Sequence, residues 1–229
     1  MLDKSKAMKI KKIYFISSLA VAVILAGGFF LVFFLKPKAV EYHLPVNLSQ
    51  AELQDIASRI NKNMENLTIF PKDYNVYLDL GSLEFALGNA SKAIDYYTKA
   101  WEIIPTNATP WLNIGNIYIQ LGLYNQAEAA FLKAKEANPS YYLIYFDIAK
   151  LYNDYLSEKA DQVRGVYLEG LKATNNDPKL LDYFSTYLTK IGNYSEALQY
   201  LQVLIGNVDD QSASQVQARI DNLNTLINQ

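Results

Sequence analysis

The sequence predicts an all-α solenoid of stacked helix pairs, preceded by one N-terminal transmembrane helix. Two observations lead to this fold class. Pro71, Pro105 and Pro139 are spaced 34 residues apart, and a fixed period of this length is typical of repeat architectures in which each unit packs on its neighbours. In addition, residues 13–35 form an apolar run without a charged residue.

The apolar run from Ile13 to Leu35 is predicted to cross a membrane as a helix. At a rise of 1.5 Å per residue it reaches about 35 Å, and the hydrocarbon core of a bilayer is about 30 Å thick. A cleaved secretory signal is the alternative, but its apolar run is usually about 7–15 residues long and ends in a small-x-small site. The longer run here ends in "FFLKPK", so we expect an uncleaved anchor.

The charges that flank this run predict its orientation. Residues 1–12 are a basic tail with five lysines and one aspartate, whereas the other flank has only Lys36 and Lys38. Because lysine and arginine near a span favour the cytoplasmic side, we expect a cytoplasmic N-terminus and an extracytoplasmic body, periplasmic or on the cell surface in a bacterium. Residues 36–48 contain two prolines and are predicted to be a short stiff spacer.

Composition excludes several function classes for the body. Removing the tail from the chain's 21 basic and 23 acidic residues leaves 16 and 22, a net charge of about −6, which argues against nucleic acid as a partner. The chain has no cysteine, and its one histidine, His43, lies in the spacer. Asp154, Glu158 and Asp161 lack the spacing of a calcium loop and are interpreted as solvated surface. We therefore expect no enzyme activity, no cofactor, no metal site and no small-molecule substrate.

The 34-residue period extends to residue types that suit a pair of packed helices. Glycine ends the first helix of a unit, where a left-handed cap disfavours a Cβ atom. Small residues recur where two helices approach closely, and aromatic residues recur where space between units must be filled. The matching pairs are Gly81 and Gly115, Gly88 and Gly122, Ala93 and Ala127, Tyr97 and Phe131, and Ala100 and Ala134.

The period divides residues 49–229 into units. A half-unit is predicted at about 50–73, where Ser49 and Glu52 form a capping box. Four helix pairs follow at about 74–107, 108–141, 142–177 and 178–210, and a capping helix at about 212–227. The third pair is irregular, because Pro178 follows Pro139 by 39 residues. The five additional residues indicate either drift in loop length or a bend that shapes a binding surface.

The repeat resembles the tetratricopeptide repeat family. Its signature positions are matched in order by Trp111, Ile114, Gly115, Tyr118, Ala127, Phe131, Ala134 and Pro139. The resemblance covers about residues 50–228, and it implies that the first helix of each unit lines a concave groove. The groove residues that it implies are Asn75, Leu78, Ser82, Phe85, Leu112, Asn116, Ile119, Leu143, Phe146, Lys150, Asn153, Lys179, Asp182 and Thr186.

Three tyrosines, Tyr141, Tyr142 and Tyr155, are not required by the repeat and are candidate contact residues, with simple surface packing as the alternative. Some relatives bind a C-terminal carboxylate with lysine, asparagine and arginine. Leu78 and Ser82 replace two of those residues here, so this use is not expected.

The resemblance implies a membrane-anchored scaffold that binds a protein or peptide in the groove. Two alternatives remain at this point. One is a membrane-tethered envelope chaperone associated with a secretion channel, and the other is a non-catalytic subunit of a membrane enzyme complex.

Overall fold

The computed structural model describes residues 21–26, 29–34 and 41–228. The N-terminal part of this region contains two short strands, β1 (Val21–Ala26) and β2 (Phe29–Phe34). The rest is helical: α1 (Gln50–Ile69), α2 (Tyr74–Ala86), α3 (Ala90–Ile103), α4 (Thr109–Gln120), α5 (Tyr124–Ala137), α6 (Tyr142–Asp154), a 3-10 helix (Ser157–Gln162), α7 (Val163–Ala173), α8 (Pro178–Lys190), α9 (Tyr194–Ile205) and α10 (Asp210–Ile227).

The helices form consecutive packed pairs, and the predicted all-α repeat is confirmed. Helix α2 packs on α3, α4 on α5, α6 on α7 and α8 on α9, and each pair contacts the next. Helix α1 packs on α2 at one end, and α10 packs on α9 at the other. This connectivity is that of a solenoid, in which contacts run between neighbours along the chain.

Caps and glycines set the helix boundaries. The carboxylate of Asp73 accepts hydrogen bonds from two backbone N–H groups at the start of α2, and Asp177 does the same for α8. Gly88, Gly122 and Gly192 follow the first helices of their pairs with φ values of 76°, 70° and 79°. A residue with a Cβ atom is disfavoured in this left-handed conformation, which explains why glycine recurs there.

Close approach of the two helices in a pair explains a second glycine position. A Cβ atom added to Gly115 would overlap Cε1 of Phe131, whose side chain is completely buried. Gly81 stands in the same relation to Tyr97, at 2.6 Å. The aromatic ring of the second helix therefore occupies the space that a side chain on the first helix would need.

The five additional residues of the third pair are folded. They contribute to the 3-10 helix Ser157–Gln162 between α6 and α7. The Lys159 ammonium forms an ion pair with Glu128 of α5 at 2.5 Å, and the Tyr152 hydroxyl donates to the same carboxylate at 2.5 Å. Burial alone would raise the pKa of Glu128, but these two hydrogen bonds outweigh it and the pKa is lowered. The insertion is thus attached to the preceding unit.

The predicted transmembrane helix is not formed in the described part of the apolar run. Val21–Ala26 and Phe29–Phe34 pair as antiparallel strands, with Val21 opposite Phe34 and Ala26 opposite Phe29, and the rest of residues 13–35 lies outside the described residues. The run is rich in valine, isoleucine and phenylalanine, which favour strands, and hydropathy alone does not separate an apolar strand from an apolar helix. No helix in the described ranges combines the length and apolar character that a bilayer crossing requires.

The predicted spacer differs as well, because its described part contacts the body. The backbone N–H of Leu44 donates to the carbonyl of Gly88 at 2.8 Å, and the N–H of Tyr42 donates to the Ser91 hydroxyl at 2.7 Å. Tyr42 and Leu44 also pack on a hydrophobic cluster formed by α3 and α4. Residues 36–40 lie outside the described residues.

Candidate protein-binding groove

The first helices of the pairs, α2, α4, α6 and α8, carry the predicted groove residues. Half-buried side chains are found at Leu78, Phe85, Ile119, Leu143, Phe146 and Asp182. Exposed side chains are found at Asn75, Ser82, Asn116, Lys150, Asn153, Lys179 and Thr186. All of these residues have surface that a partner can contact.

Leu112 is the exception, and its predicted role in binding is not supported. Its side chain is 3% exposed and belongs to a core cluster with Ala108, Phe131 and Ile144. Helix α6 contacts α4 directly, so this part of α4 is covered by the next unit. A partner cannot contact Leu112 without separating these helices.

A cavity of about 210 Å³ lies between α6 and α8. Four of the predicted residues, Phe146, Lys150, Asn153 and Thr186, are brought together in its wall. The complete lining is Phe146, Ala149, Lys150, Asn153 and Asp154 of α6, Val163 and Tyr167 of α7, and Tyr183, Thr186, Tyr187 and Lys190 of α8. We call this surface the α6–α8 groove.

Aromatic rings form one wall of the groove. Phe146 of α6 and Tyr183 of α8 stack with their centroids 4.0 Å apart and their planes at 28°. Tyr142 continues the row at 6.4 Å from Tyr183, and Tyr141 meets Tyr142 edge-on at 5.6 Å. Of the three tyrosines that the repeat does not require, two therefore extend this row. The third, Tyr155, stacks on Tyr124 at 4.8 Å.

Tyr183 and Tyr187 were missed by sequence reasoning. Both lie on the face of α8 that meets α6, next to the predicted positions Asp182 and Thr186. The signal was available in the sequence: α8 has the segment "YFSTY", in which two tyrosines four residues apart share one helix face.

The charged groups at the open end of the groove are partly paired. Lys150 Nζ lies 2.6 Å from Asp154 Oδ2, and the Asn153 amide donates to the other oxygen at 2.6 Å. Burial works to raise the pKa of Asp154, but these hydrogen bonds outweigh it and the pKa is lowered. The hydrogen bond to Asp154 raises the pKa of Lys150 above its ordinary value. Lys190 contributes a second ammonium group to the same wall.

Asp147 is a buried carboxylate on α6. Its side chain is on a residue only 9% exposed, and Oδ2 has no hydrogen-bond partner among the described residues. Burial raises its pKa to about 7, although the charge of Lys150 opposes the shift. A carboxylate in this environment is costly to ionise, and such groups are more common at functional sites than elsewhere.

The C-terminal helix closes the last part of the predicted surface. Arg219 of α10 forms an ion pair with Asp182 and donates to the hydroxyls of Ser185 and Thr186, each at 3.0 Å. Asp182 and Thr186 are therefore occupied by the chain's own capping helix. The unoccupied part of the groove lies on the α6 side of α8.

The described residues show no metal site. Within residues 21–26, 29–34 and 41–228, no group of three histidine, aspartate or glutamate side chains could hold an ion. His43 is exposed and lies 3.9 Å from Glu41. Asp154 is engaged by Lys150, as described above.

Comparison with known families supports the repeat interpretation. Residues 84–145 match the tetratricopeptide repeat. The match runs from the end of α2 into α6, so it includes the whole second pair. Comparison with curated proteins found no match.

Two solved structures have a similar fold. The crystal structure of MamA aligns with a TM-score of 0.50 and 15% identity, over 77% of this chain and 99% of that chain. The crystal structure of TTC0263, a thermophilic tetratricopeptide repeat protein in Thermus thermophilus, aligns with a TM-score of 0.51 and 16% identity, over 76% and 92%. At these identities the comparison establishes the helical repeat fold alone.

Proposed function

We propose that the chain is a tetratricopeptide repeat scaffold that binds a segment of a partner protein in the α6–α8 groove. The observation that carries this proposal is the cavity itself. Consecutive units bring an exposed aromatic stack, amide and hydroxyl groups and two lysines into one wall. Aromatic anchors beside polar groups are typical of protein-binding surfaces.

A photo-crosslinking amino acid at position 153 tests the groove assignment. Asn153 is exposed and lines the cavity, so the crosslinker should capture a partner in cells. The matched control carries the same crosslinker at Leu132 of α5, which is exposed but does not line the cavity. Equal capture from both positions, or none from position 153, would count against a groove-bound partner.

The identity of the crosslinked products separates the scaffold from a chaperone. A defined cavity favours a scaffold, because it can select one partner by shape and charge. We therefore expect one main product at position 153. A broad set of partly unfolded products would favour a tethered chaperone instead, and copurification with an enzyme activity would favour a non-catalytic subunit.

We further propose that residues 13–35 attach the body to a membrane, with the body outside the cytoplasm. The support is the absence of charge over 23 residues and the excess of lysine in residues 1–12. Two strands alone would leave unpaired backbone groups in hydrocarbon. The proposal therefore requires the described strands to rearrange into a helix when lipid is present.

A single introduced cysteine tests this topology without interference, because the chain contains none. Gln126→Cys, at an exposed position of the body, should react with a membrane-impermeant maleimide in intact cells. Ser5→Cys in the basic tail is the paired control and should be protected until the cells are lysed. Protection of both cysteines, or release of the protein by carbonate, would refute the proposed location.

A further inference from the structure

The charges around the α6–α8 groove are satisfied unequally. Every exposed or half-buried carboxylate near it has a partner: Asp154 binds Lys150, Asp182 binds Arg219, and Asp177 caps α8. The remaining carboxylate, Asp147, is buried. The surface therefore offers no free exposed anion to a partner among the described residues.

Two lysines on the same surface lack such a partner. Lys179 and Lys190 are exposed, and neither has a carboxylate oxygen within ion-pair distance in the described residues. The Lys179 ammonium lies instead over the ring of Tyr142, 5.4 Å from its centroid. Two available cations thus stand out on a body whose net charge is negative.

The spacing of the two lysines defines the length of a ligand. Lys179, Tyr183 and Lys190 lie on one face of α8, because they are separated by one and then two helical turns. At a rise of 1.5 Å per residue, Tyr183 is about 6 Å from the level of Lys179 and about 10 Å from that of Lys190. An extended peptide rises about 3.3 Å per residue, so these distances correspond to about two and three residues.

We propose that the α6–α8 groove binds an acidic peptide segment in extended conformation, with a large apolar side chain on the Phe146–Tyr183 stack and a carboxylate directed to each of Lys179 and Lys190. The apolar residue lies about two positions from one acidic residue and about three from the other. This inference rests on the proposed scaffold function and specifies the chemistry of its partner.

Synthetic hexapeptides test the pattern directly. The probe Glu-Ser-Phe-Ser-Ser-Glu and its reversed sequence are labelled at one end and amidated, so that no terminal carboxylate takes part. We expect the full chain, purified in detergent, to bind at least one of them in a fluorescence anisotropy titration. Binding should weaken when lysine replaces both glutamates or alanine replaces phenylalanine.

Charge reversal on the protein locates the site. Lys179→Glu and Lys190→Glu should each weaken binding roughly two- to tenfold, the range expected when an exposed ion pair becomes a repulsion. Lys62→Glu, at an exposed position of α1 that does not line the groove, makes the same change in net charge and should have no effect. All three variants should keep the helical circular dichroism of the parent.

The outcomes separate this inference from the scaffold function. Peptide binding that depends on Lys179 and Lys190 supports it. Equal binding of the acidic and lysine peptides, equal loss in Lys62→Glu, or no binding overturns it. If position 153 still captures a partner in that case, the scaffold proposal stands with a different ligand chemistry. A dimer that Lys190→Glu dissociates would show that a second copy fills the groove, which also overturns the inference.

Discussion

Replacing Asp147 by asparagine should stabilise the protein at neutral and alkaline pH. The carboxylate is 9% exposed on α6, and Oδ2 has no hydrogen-bond partner among the described residues. Burial raises its pKa from 3.8 to about 7, and the charge of Lys150 offsets only part of this effect. Asparagine has nearly the same shape and carries no charge, so the variant removes the cost of ionisation and leaves the packing unchanged.

The sign and size of the effect follow from proton linkage. Between about pH 4 and pH 7 the folded protein binds a proton at Asp147 more tightly than the unfolded chain does. The free energy of unfolding therefore falls as pH rises through this window and is lowest above pH 7. At about 1.4 kcal/mol per pKa unit, the full loss is of order 4 kcal/mol, which is an upper value because water reaches partly buried groups. The asparagine variant should regain this amount at pH 8 and almost nothing at pH 4.

Urea denaturation monitored by circular dichroism at 222 nm, at pH 4, 6 and 8, measures the effect. The control is Asp154→Asn on the same helix, where the hydrogen bonds from Lys150 and Asn153 outweigh burial and lower the pKa. That variant should lose stability, and the loss should be greatest at the higher pH. If the parent and Asp147→Asn lose stability in parallel between pH 4 and pH 8, then Asp147 is not a buried, unpaired carboxylate and the reasoning fails.

Three further predictions concern packing and the groove. Gly115→Ala should destabilise the protein by about 1–2 kcal/mol, because overpacking of a buried ring exceeds the gain in helix propensity, whereas Gly165→Ala, whose added Cβ would meet no atom within 4 Å, should stabilise it by about 0.5–1 kcal/mol in the same urea assay. Gly88→Ala should release the segment that carries Leu44, whose carbonyl would overlap the new Cβ, and faster amide exchange at Leu44 would reveal this. Phe146→Asp should abolish crosslinking from the groove with little loss of helicity, and undiminished crosslinking would contradict the groove assignment.

The regular part of the fold was predictable because its residues have one structural role each. The 34-residue spacing of proline, glycine, alanine and aromatic residues follows from helix ends and close helix contacts, and these are local requirements. Gly115 and Phe131 illustrate this: the glycine is needed because the ring occupies the place where its Cβ would lie. Such pairs recur with the repeat and are visible in one sequence.

The N-terminal region was not predictable in the same way. Hydropathy identifies residues 13–35 as apolar, but it does not determine whether they form a helix or strands. Valine, isoleucine and phenylalanine favour strands in water, whereas a bilayer enforces helices or closed barrels. The environment decides between these outcomes, and a sequence carries no direct record of its environment. The contact of Leu44 with Gly88 was equally invisible, because it joins backbone groups.

The groove shows why individual binding residues were harder to predict than the fold. Transfer by repeat phase assumes that every unit exposes the same face. Leu112 breaks this assumption because α6 covers it, and Asp182 breaks it because Arg219 occupies it. Tyr183 was missed because the resemblance assigned the neighbouring position to the groove.

The irregular third pair and the groove are structurally connected. The insertion places Val163 and Tyr167 at the start of α7, and both line the cavity between α6 and α8. The 3-10 helix before them is held in place by the ion pair of Lys159 with Glu128. A simple drift in loop length would require neither this attachment nor any role in the cavity. The position of the insertion therefore favours the second sequence interpretation, in which the departure from the period shapes a binding surface.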